Sequence, residues 1–273
     1  MRRAVETTLL HAALLAGAVL VLVPLLWMVS ASLMPSGEAT AVPPRLLPSA
    51  VTLEHYRALF TRLDLARAGL NSAGLAAAVT LIALLVNSMA GYAFAKLRFV
   101  GREPLFRLLL AALVVPAQVA MLPLFLMLKT LRLVNTYAGV MVPGMASVFG
   151  IFLVRQYALS LPESVLDAAR IDGAGEFRIY RSLVLYLCAP ILVTLAVLTF
   201  MGTWNDFMWP LVVLADARLY TLPVALASLA GEHVQDVELM MAGAVLTVLP
   251  VVLLFVCLQR YYIAGITAGG VKE

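Results

Sequence analysis

The chain has 273 residues, 63% of them hydrophobic and 12% charged, with a formal net charge of +4 and a mean hydropathy of +1.00. A soluble globule carries about 25% charged residues, so this composition excludes one and indicates a membrane protein. The basic excess calls for no nucleic acid, because Lys and Arg are spread around apolar runs, and Cys188 and Cys257, both inside such runs, form no metal or redox motif.

A helix needs roughly 20 mainly apolar residues to cross a bilayer. Six runs reach that length: about Leu9 to Met34, Gly69 to Phe94, Leu105 to Leu128, Tyr137 to Tyr157, Leu183 to Leu214 and Leu239 to Leu258. The predicted fold class is therefore all-α, a polytopic membrane protein in which residues 1–273 form a single transmembrane domain. The first run follows Arg2 and Arg3 and is longer than the h-region of a signal peptide, about 7 to 15 residues, so it reads as a retained span. Pro24, Pro116, Pro123, Pro143, Pro190, Pro210 and Pro250 fall in the runs and predict kinks or breaks.

An even number of spans puts both termini on one side, and basic residues mark the cytoplasmic side. One face holds Arg2, Arg3, Lys96, Arg98, Arg102, Arg107, Arg155, Arg170, Arg178, Arg181, Arg260 and Lys272. The other holds Arg45, Arg57, Arg62, Arg67, Lys129, Arg132 and Arg218. This distribution predicts cytoplasmic termini, with external segments from Pro35 to Ala68 and from Ala215 to Glu238. The second is acidic, with Asp216, Glu232, Asp236 and Glu238 against Arg218.

Polar residues inside spans are expensive in hydrocarbon and tend to face an interior or a water-filled path. Asn87, Gln118, Asn205 and Asp206, with Trp204 and Trp209 beside the last two, are the candidates for a solute route. Amide and carboxylate groups next to an aromatic ring suit a sugar's hydroxyl edges and C–H faces. Two competing readings stand beside this one: Asn205 and Asp206 as caps of a helix break, and the tryptophans as membrane-interface anchors. His11, His55 and His233 lie far apart and read as surface or membrane-edge residues.

Between the fourth and fifth runs lies a charged stretch, SLPESVLDAARIDGAGEFRIYRSLVLYLCAP, from Ser160 to Pro190. Ser160 and Glu163 have capping-box spacing, and Pro162 suits a first turn. A short helix is predicted to end near Ile171, closed by Asp172 and Gly173, with a second amphipathic piece from Ala174 to about Arg181. There is no Gly-rich Gly-Lys-Ser/Thr loop, His-Glu-x-x-His or Gly-x-Ser-x-Gly elbow, so the chain reads as non-enzymatic, with no catalytic or metal-binding residue and no cofactor of its own.

The Asp167-Ala168-Ala169 triplet with Gly173 resembles the cytoplasmic "EAA" loop of permease subunits from binding-protein-dependent ABC importers. Asp167 stands where glutamate is usual, and Tyr186 follows Leu185 where proline is usual. The segments AGYAFAKLRFVGR (Ala90 to Arg102), VNTYAGVMVP (Val134 to Pro143), FGIFLVRQY (Phe149 to Tyr157), GTWNDFMWPL (Gly202 to Leu211) and QRYYIAGITAGGVKE (Gln259 to Glu273) are similar to its carbohydrate-uptake branch, the maltose-type second permease. The resemblance implies a permease in the bacterial inner membrane whose coupling loop, residues 160–182, docks on an ATPase. Glu163 and Asp167 would then be charged contacts, Ala168 and Ala169 the close-packed face, and Gly173 the turn. The partners it implies are a second homologous permease, a dimer of nucleotide-binding ATPase subunits that bind ATP and Mg, an extracytoplasmic solute-binding protein and membrane lipid. A glycerol-phosphate solute fits the same branch. The alternative is an ion-coupled secondary transporter using Asp206.

Overall fold

In a computed structural model of the chain, residues 2–43, 45–62, 64–232 and 236–270 are described, with the side chains of 2–5, 62, 229–232 and 258–270 excepted. Among the described residues every regular element is helical. His233, Lys272 and the last three residues of the C-terminal motif lie outside them, as do the side chain of Glu232 and those of the motif as far as Gly270. The chain forms two compact units, 1–66 with 225–250 and 67–224 with 251–273.

In the first unit, α1 (Arg2–Ala31) contains Pro24 and carries the first span. The segment after it is ordered by polar contacts to side chains. Glu38 accepts from Arg45 Nη1 at 2.8 Å and from the Ser49 amide at 3.1 Å, and the Thr52 amide donates to Leu33 O at 2.9 Å. His55, on α2 (Glu54–Arg62), is 3% exposed and its Nε2 is 2.9 Å from Met34 O. The predicted surface position of His55 is thus corrected: its ring satisfies a carbonyl freed at the end of α1 and is buried in doing so. Glu238 is fully buried, and its Oε1 accepts from the Ala39 amide at 2.7 Å.

The second unit is built on α3 (Leu65–Lys96), long enough to cross a membrane with turns to spare. The third predicted span is bent: α4 (Arg102–Ala112) and α5 (Ala117–Thr130) meet at 102°. Pro116 sits in the break with extended backbone, φ −60 and ψ 133; a proline also disfavours helix for the residue before it. The fourth span comprises α6 (Tyr137–Met141), a short 3-10 turn and α7 (Val148–Leu159). Thr136 and Ser147 cap the two helices by accepting from Gly139 N at 3.1 Å and Gly150 N at 3.2 Å.

After α8 (Glu163–Ile171) the chain re-enters helix at α9 (Glu176–Leu187), which includes a π-helical stretch over Tyr180–Val184. It turns by 79° into α10 (Ala189–Trp204). Pro190 causes this bend: it has no N–H to continue the helix, and its ring crowds the preceding turn. A second break precedes α11 (Met208–Val213), so the run predicted as one fifth span is three helical pieces. Helices α12 (Leu222–Glu232) and α13 (Val237–Gly270) complete the chain. Among the described residues, four helical spans are long and apolar enough to cross a membrane, or up to six when each bent pair counts as one. Their leucines and valines are largely exposed within the chain, as lipid-facing or subunit-facing helices require.

Candidate functional site

The 160–182 segment folds as a helix, a glycine turn and a second helix. Gly173 has φ +79 and closes α8: its amide donates to Arg170 O and the Ala174 amide to Ala169 O, both at 3.0 Å. This is the left-handed C-terminal stop expected from Asp172-Gly173. The expected capping box does not form. Ser160 Oγ donates back to Tyr157 O at 2.7 Å, and α8 starts at Glu163 after an extended Pro162 without a side-chain cap. Ser160 keeps helical backbone, φ −78 and ψ −10, as the end of α7, whereas an N-cap needs a non-helical one, and the Glu163 carboxylate lies instead 2.9 Å from Lys96 Nζ and 3.7 Å from Arg170 Nη1.

Arg170 braces the turn. Its Nη1 donates to Asp167 at 2.7 Å and its Nε reaches across Gly173 to Glu176 Oε1 at 2.8 Å. Its hydrogen bonds to Glu176 first, and then to Asp167, hold the Arg170 pKa above its ordinary value. Glu176 Oε2 accepts in turn from Tyr92 OH at 2.6 Å. Leu166 is fully buried and Ala169 packs against the same core, whereas Ser164, Val165, Ala168 and Ile171 are exposed. Of the predicted docking residues, Ala168 therefore faces outward and Ala169 faces inward. Glu163 and Asp167 keep more than half of their side-chain surface exposed while paired within the chain.

The segment is seated on the end of α3. Ser88, Tyr92 and Lys96 recur every four residues and so lie along one face of that helix. Ser88 Oγ is 2.7 Å from Tyr180 OH, and Lys96 Nζ donates to Leu161 O at 2.8 Å besides pairing with Glu163. A neighbouring stripe meets α7. The Asn87 side chain accepts from the Ser147 amide at 3.0 Å, and Arg155 Nε donates to Phe94 O at 3.2 Å with its guanidinium 4.0 Å from the Phe106 ring centroid.

The Trp-Asn-Asp segment lies at the break between α10 and α11. Asn205 Nδ2 donates to Met201 O at 2.9 Å, closing α10. Asp206 Oδ1 accepts from the Trp209 amide at 3.3 Å at the start of α11, and Trp209 Nε1 donates to Gly139 O at 3.2 Å. These bonds satisfy backbone groups that a broken helix leaves free. Beside the break is a cavity of about 400 Å³, lined by Gln118, Thr203, Asp206, Trp209 and Thr221 with apolar neighbours that include Val79 and Met121. Thr221 is 3% exposed and its hydroxyl has no partner among the described residues.

Of the predicted solute-route residues, Gln118 and Asp206 share this cavity. Asn87, Trp204 and Asn205 are not in its lining; Asn87 and Trp204 are buried, and Trp204 stacks on Phe200 with centroids 6.1 Å apart. Sequence reasoning missed Tyr92, Lys96, Thr203 and Thr221. The four-residue spacing of Ser88, Tyr92 and Lys96 was a usable signal for the first two. Threonines in apolar helices carry no comparable signal, because their hydroxyls so often bond the preceding turn.

Comparison with known proteins agrees with this architecture. Residues 87–267 match the family model described as "Binding-protein-dependent transport system inner membrane component". The arabinooligosaccharides transport system permease protein AraQ of Halalkalibacterium halodurans is 41% identical over 252 residues, 91% of this chain and 90% of that one. The sn-glycerol-3-phosphate transport system permease protein UgpE of Brucella abortus is 31% identical over 274 residues, 97% of each chain. A chain from the crystal structure of a bacterial ABC transporter involved in the import of the acidic polysaccharide alginate shares the fold, with a TM-score of 0.85, 24% identity and coverage of 96% of this chain and 98% of its own. The ion-coupled alternative built on Asp206 is set aside by this membership. The chain belongs to the inner-membrane permease family of binding-protein-dependent ABC transport systems, a non-catalytic and multi-pass membrane component.

Proposed function

We propose that this chain, as one transmembrane domain, forms half of the translocation path of an ATP-driven importer for an uncharged carbohydrate. It works with a second similar permease, a dimer of ATPase subunits that bind ATP and Mg, and an extracytoplasmic solute-binding protein. Its termini and the 160–182 loop face the cytoplasm, where the outward face of α8, carrying Glu163, Asp167 and Ala168, docks on the ATPase, with Ala169 packed behind that face and Gly173 closing the helix. The solute route runs through the cavity of Gln118 and Asp206, with Asn87, Trp204 and Asn205 shaping the helices around it.

The observation that carries the choice of solute is the chemistry of that cavity. Its lining offers an amide, two hydroxyls, one carboxylate and an indole, and no Lys, Arg or His. Hydroxyls and an amide can exchange hydrogen bonds with sugar hydroxyls, and the apolar wall with Trp209 suits the C–H faces of a pyranose or furanose ring. A phosphate would meet an acidic residue and no cation, which disfavours it. The AraQ relative bears the name of an oligosaccharide system and UgpE that of a phosphorylated polyol. The cavity favours the first kind of cargo.

The test is to purify the whole assembly with the products of neighbouring genes, reconstitute it in vesicles, and measure ATP turnover and uptake with neutral oligosaccharides and with sn-glycerol-3-phosphate. Stimulation by a neutral oligosaccharide supports the reading. Stimulation by the phosphate compound alone, or uptake that does not need ATP, overturns it.

A further inference from the structure

We propose that Lys96 and Tyr92 are positioning residues of the transport cycle, latching the 160–182 loop to the second span so that a displacement of α8 moves α3 together with the helices that follow the loop. This rests on the proposed docking of that loop on the ATPase. It gives a role to the AGYAFAK part of the Ala90 to Arg102 motif, which neither the docking face nor the solute cavity uses.

The observation is a closed circuit of polar contacts. Lys96 Nζ meets Glu163 Oε2 at 2.9 Å, Glu163 Oε1 lies 3.7 Å from Arg170 Nη1, Arg170 Nε donates to Glu176 Oε1 at 2.8 Å, and Glu176 Oε2 accepts from Tyr92 OH at 2.6 Å. Tyr92 and Lys96 are one helical turn apart on α3, so the circuit closes through that helix. Both oxygens of each glutamate are engaged. The circuit takes in the start of α8, its last turn and the start of α9, and so spans the Gly173 turn.

Burial makes the α3 side of the latch stiff, while Glu163 on the loop side is 54% exposed. The Lys96 side chain is only 7% exposed, and a buried ammonium is held in place by the partners that offset its desolvation. Its second acceptor, Leu161 O, lies in the link between α7 and α8. Tyr92 is 3% exposed and Ser88, bonded to Tyr180 OH one turn earlier, is 2% exposed. Along the backbone, Lys96 and Glu163 are separated by two helical spans and their connections. Through the side chains they are in direct contact. A push on the outward face of α8 therefore reaches α3 by a path far shorter than the chain itself, while Arg170 prevents the glycine turn from absorbing the movement by folding on itself.

The experiment uses the full reconstituted assembly and reads two quantities: ATPase recovered with the permease, and solute taken up per ATP hydrolysed. Lys96→Met should retain the ATPase but lower uptake per ATP about fivefold or more, the range of ordinary site-to-site coupling. Lys96→Arg should restore most of it. Glu163→Gln, which leaves the buried face of α3 untouched, should give a smaller loss in the same direction. The exchange K96E with E163K should recover coupling relative to K96E alone. Parental coupling in Lys96→Met, a Lys96→Arg protein as poor as Lys96→Met, or loss of the ATPase itself in Lys96→Met would each overturn the latch. Docking is checked separately by crosslinking the Ala168→Cys variant to the ATPase in an otherwise parental assembly. No crosslink refutes the docking of the loop, whereas a crosslink with fully coupled Lys96→Met refutes only the latch.

Discussion

Gly91 and Val154 approach so closely that a methyl group on Gly91 would sit 2.7 Å from Val154 Cβ and Cγ1 and 3.0 Å from the Arg155 amide nitrogen. Here the Val154 side chain of α7 packs directly on the bare backbone of α3 at Gly91, which seats the Asn87 and Arg155 contacts on either side. Gly91→Ala should destabilise the folded chain by about 1 to 3 kcal/mol, the usual cost of overpacking. Gly91→Leu should fail to yield a folded permease. The thermal midpoint of the detergent-purified assembly checks the first, and the yield of monodisperse protein the second.

Gly173 presents the opposite situation, because nothing lies within 4 Å of the place a methyl group would take and only its φ of +79 restricts the residue. A β-branched side chain there costs roughly 1 to 2 kcal/mol in the left-handed region. Gly173→Val should insert into the membrane normally but lose solute-stimulated ATP hydrolysis and uptake, with Gly173→Asn milder. Parental uptake in Gly173→Val would show that the turn can deform without consequence.

Asp206→Asn and Asp206→Ala separate charge from capping. The asparagine keeps an oxygen acceptor for the Trp209 amide, now at 3.3 Å, and the alanine does not. Asp206→Asn should therefore alter the apparent affinity for solute more than assembly, whereas Asp206→Ala should lower stability by about 1 kcal/mol as well. Unchanged uptake kinetics in Asp206→Asn would confine the residue to holding the helix break.

Glu238 is expected to control the order of the segment after α1. Replacing it with Ala leaves the Ala39 amide without its acceptor, at a cost on the order of 1 to 3 kcal/mol. Glu238→Gln retains an oxygen and should behave nearly like the parent. Tryptic cleavage at Arg45, compared between the two variants in sealed vesicles of suitable orientation, reads the difference.

Asp216 supplies a pH dependence. Hydrogen bonds from Arg218 hold its pKa down at about 2, below the ordinary value of 3.8. Because the folded value is the lower one, the contribution is fully present above pH 3.8 and is lost as the pH falls through about 2. Amide exchange in residues 214–221 should stay constant from neutral pH to about 4, after correction for the intrinsic rate, and rise below that. Asp216→Asn should remove the dependence.

Much of this fold was legible in the sequence because a bilayer imposes a length and an apolar composition that composition alone reveals. The runs from Gly69 to Phe94 and from Tyr137 to Tyr157 became helical spans with boundaries shifted by only a few residues. The Asp172-Gly173 stop was legible for a local reason, since glycine tolerates positive φ. Bends were harder. Pro116 and Pro190 marked where the third and fifth runs break, yet Pro24 and Pro123 sit inside continuous helices, so a proline gives the place of a kink but not its size. The Ser160 cap failed because Ser160 still has the helical backbone that ends α7, which a four-residue spacing cannot register. His55 failed likewise: its partner is a carbonyl at a helix end, which no side-chain motif announces.

From Glu6 to Leu26 every residue of α1 is exposed within the chain. That stretch has hydropathy and length but no shape that the rest of its own unit interprets, so within that unit its sequence is answerable to nothing but the apolar medium a span requires. An unrelated apolar segment of equal length should be exchangeable there without disturbing how the remaining residues of that unit fold, and any fault that such a chimera showed would report on a surface beyond the unit.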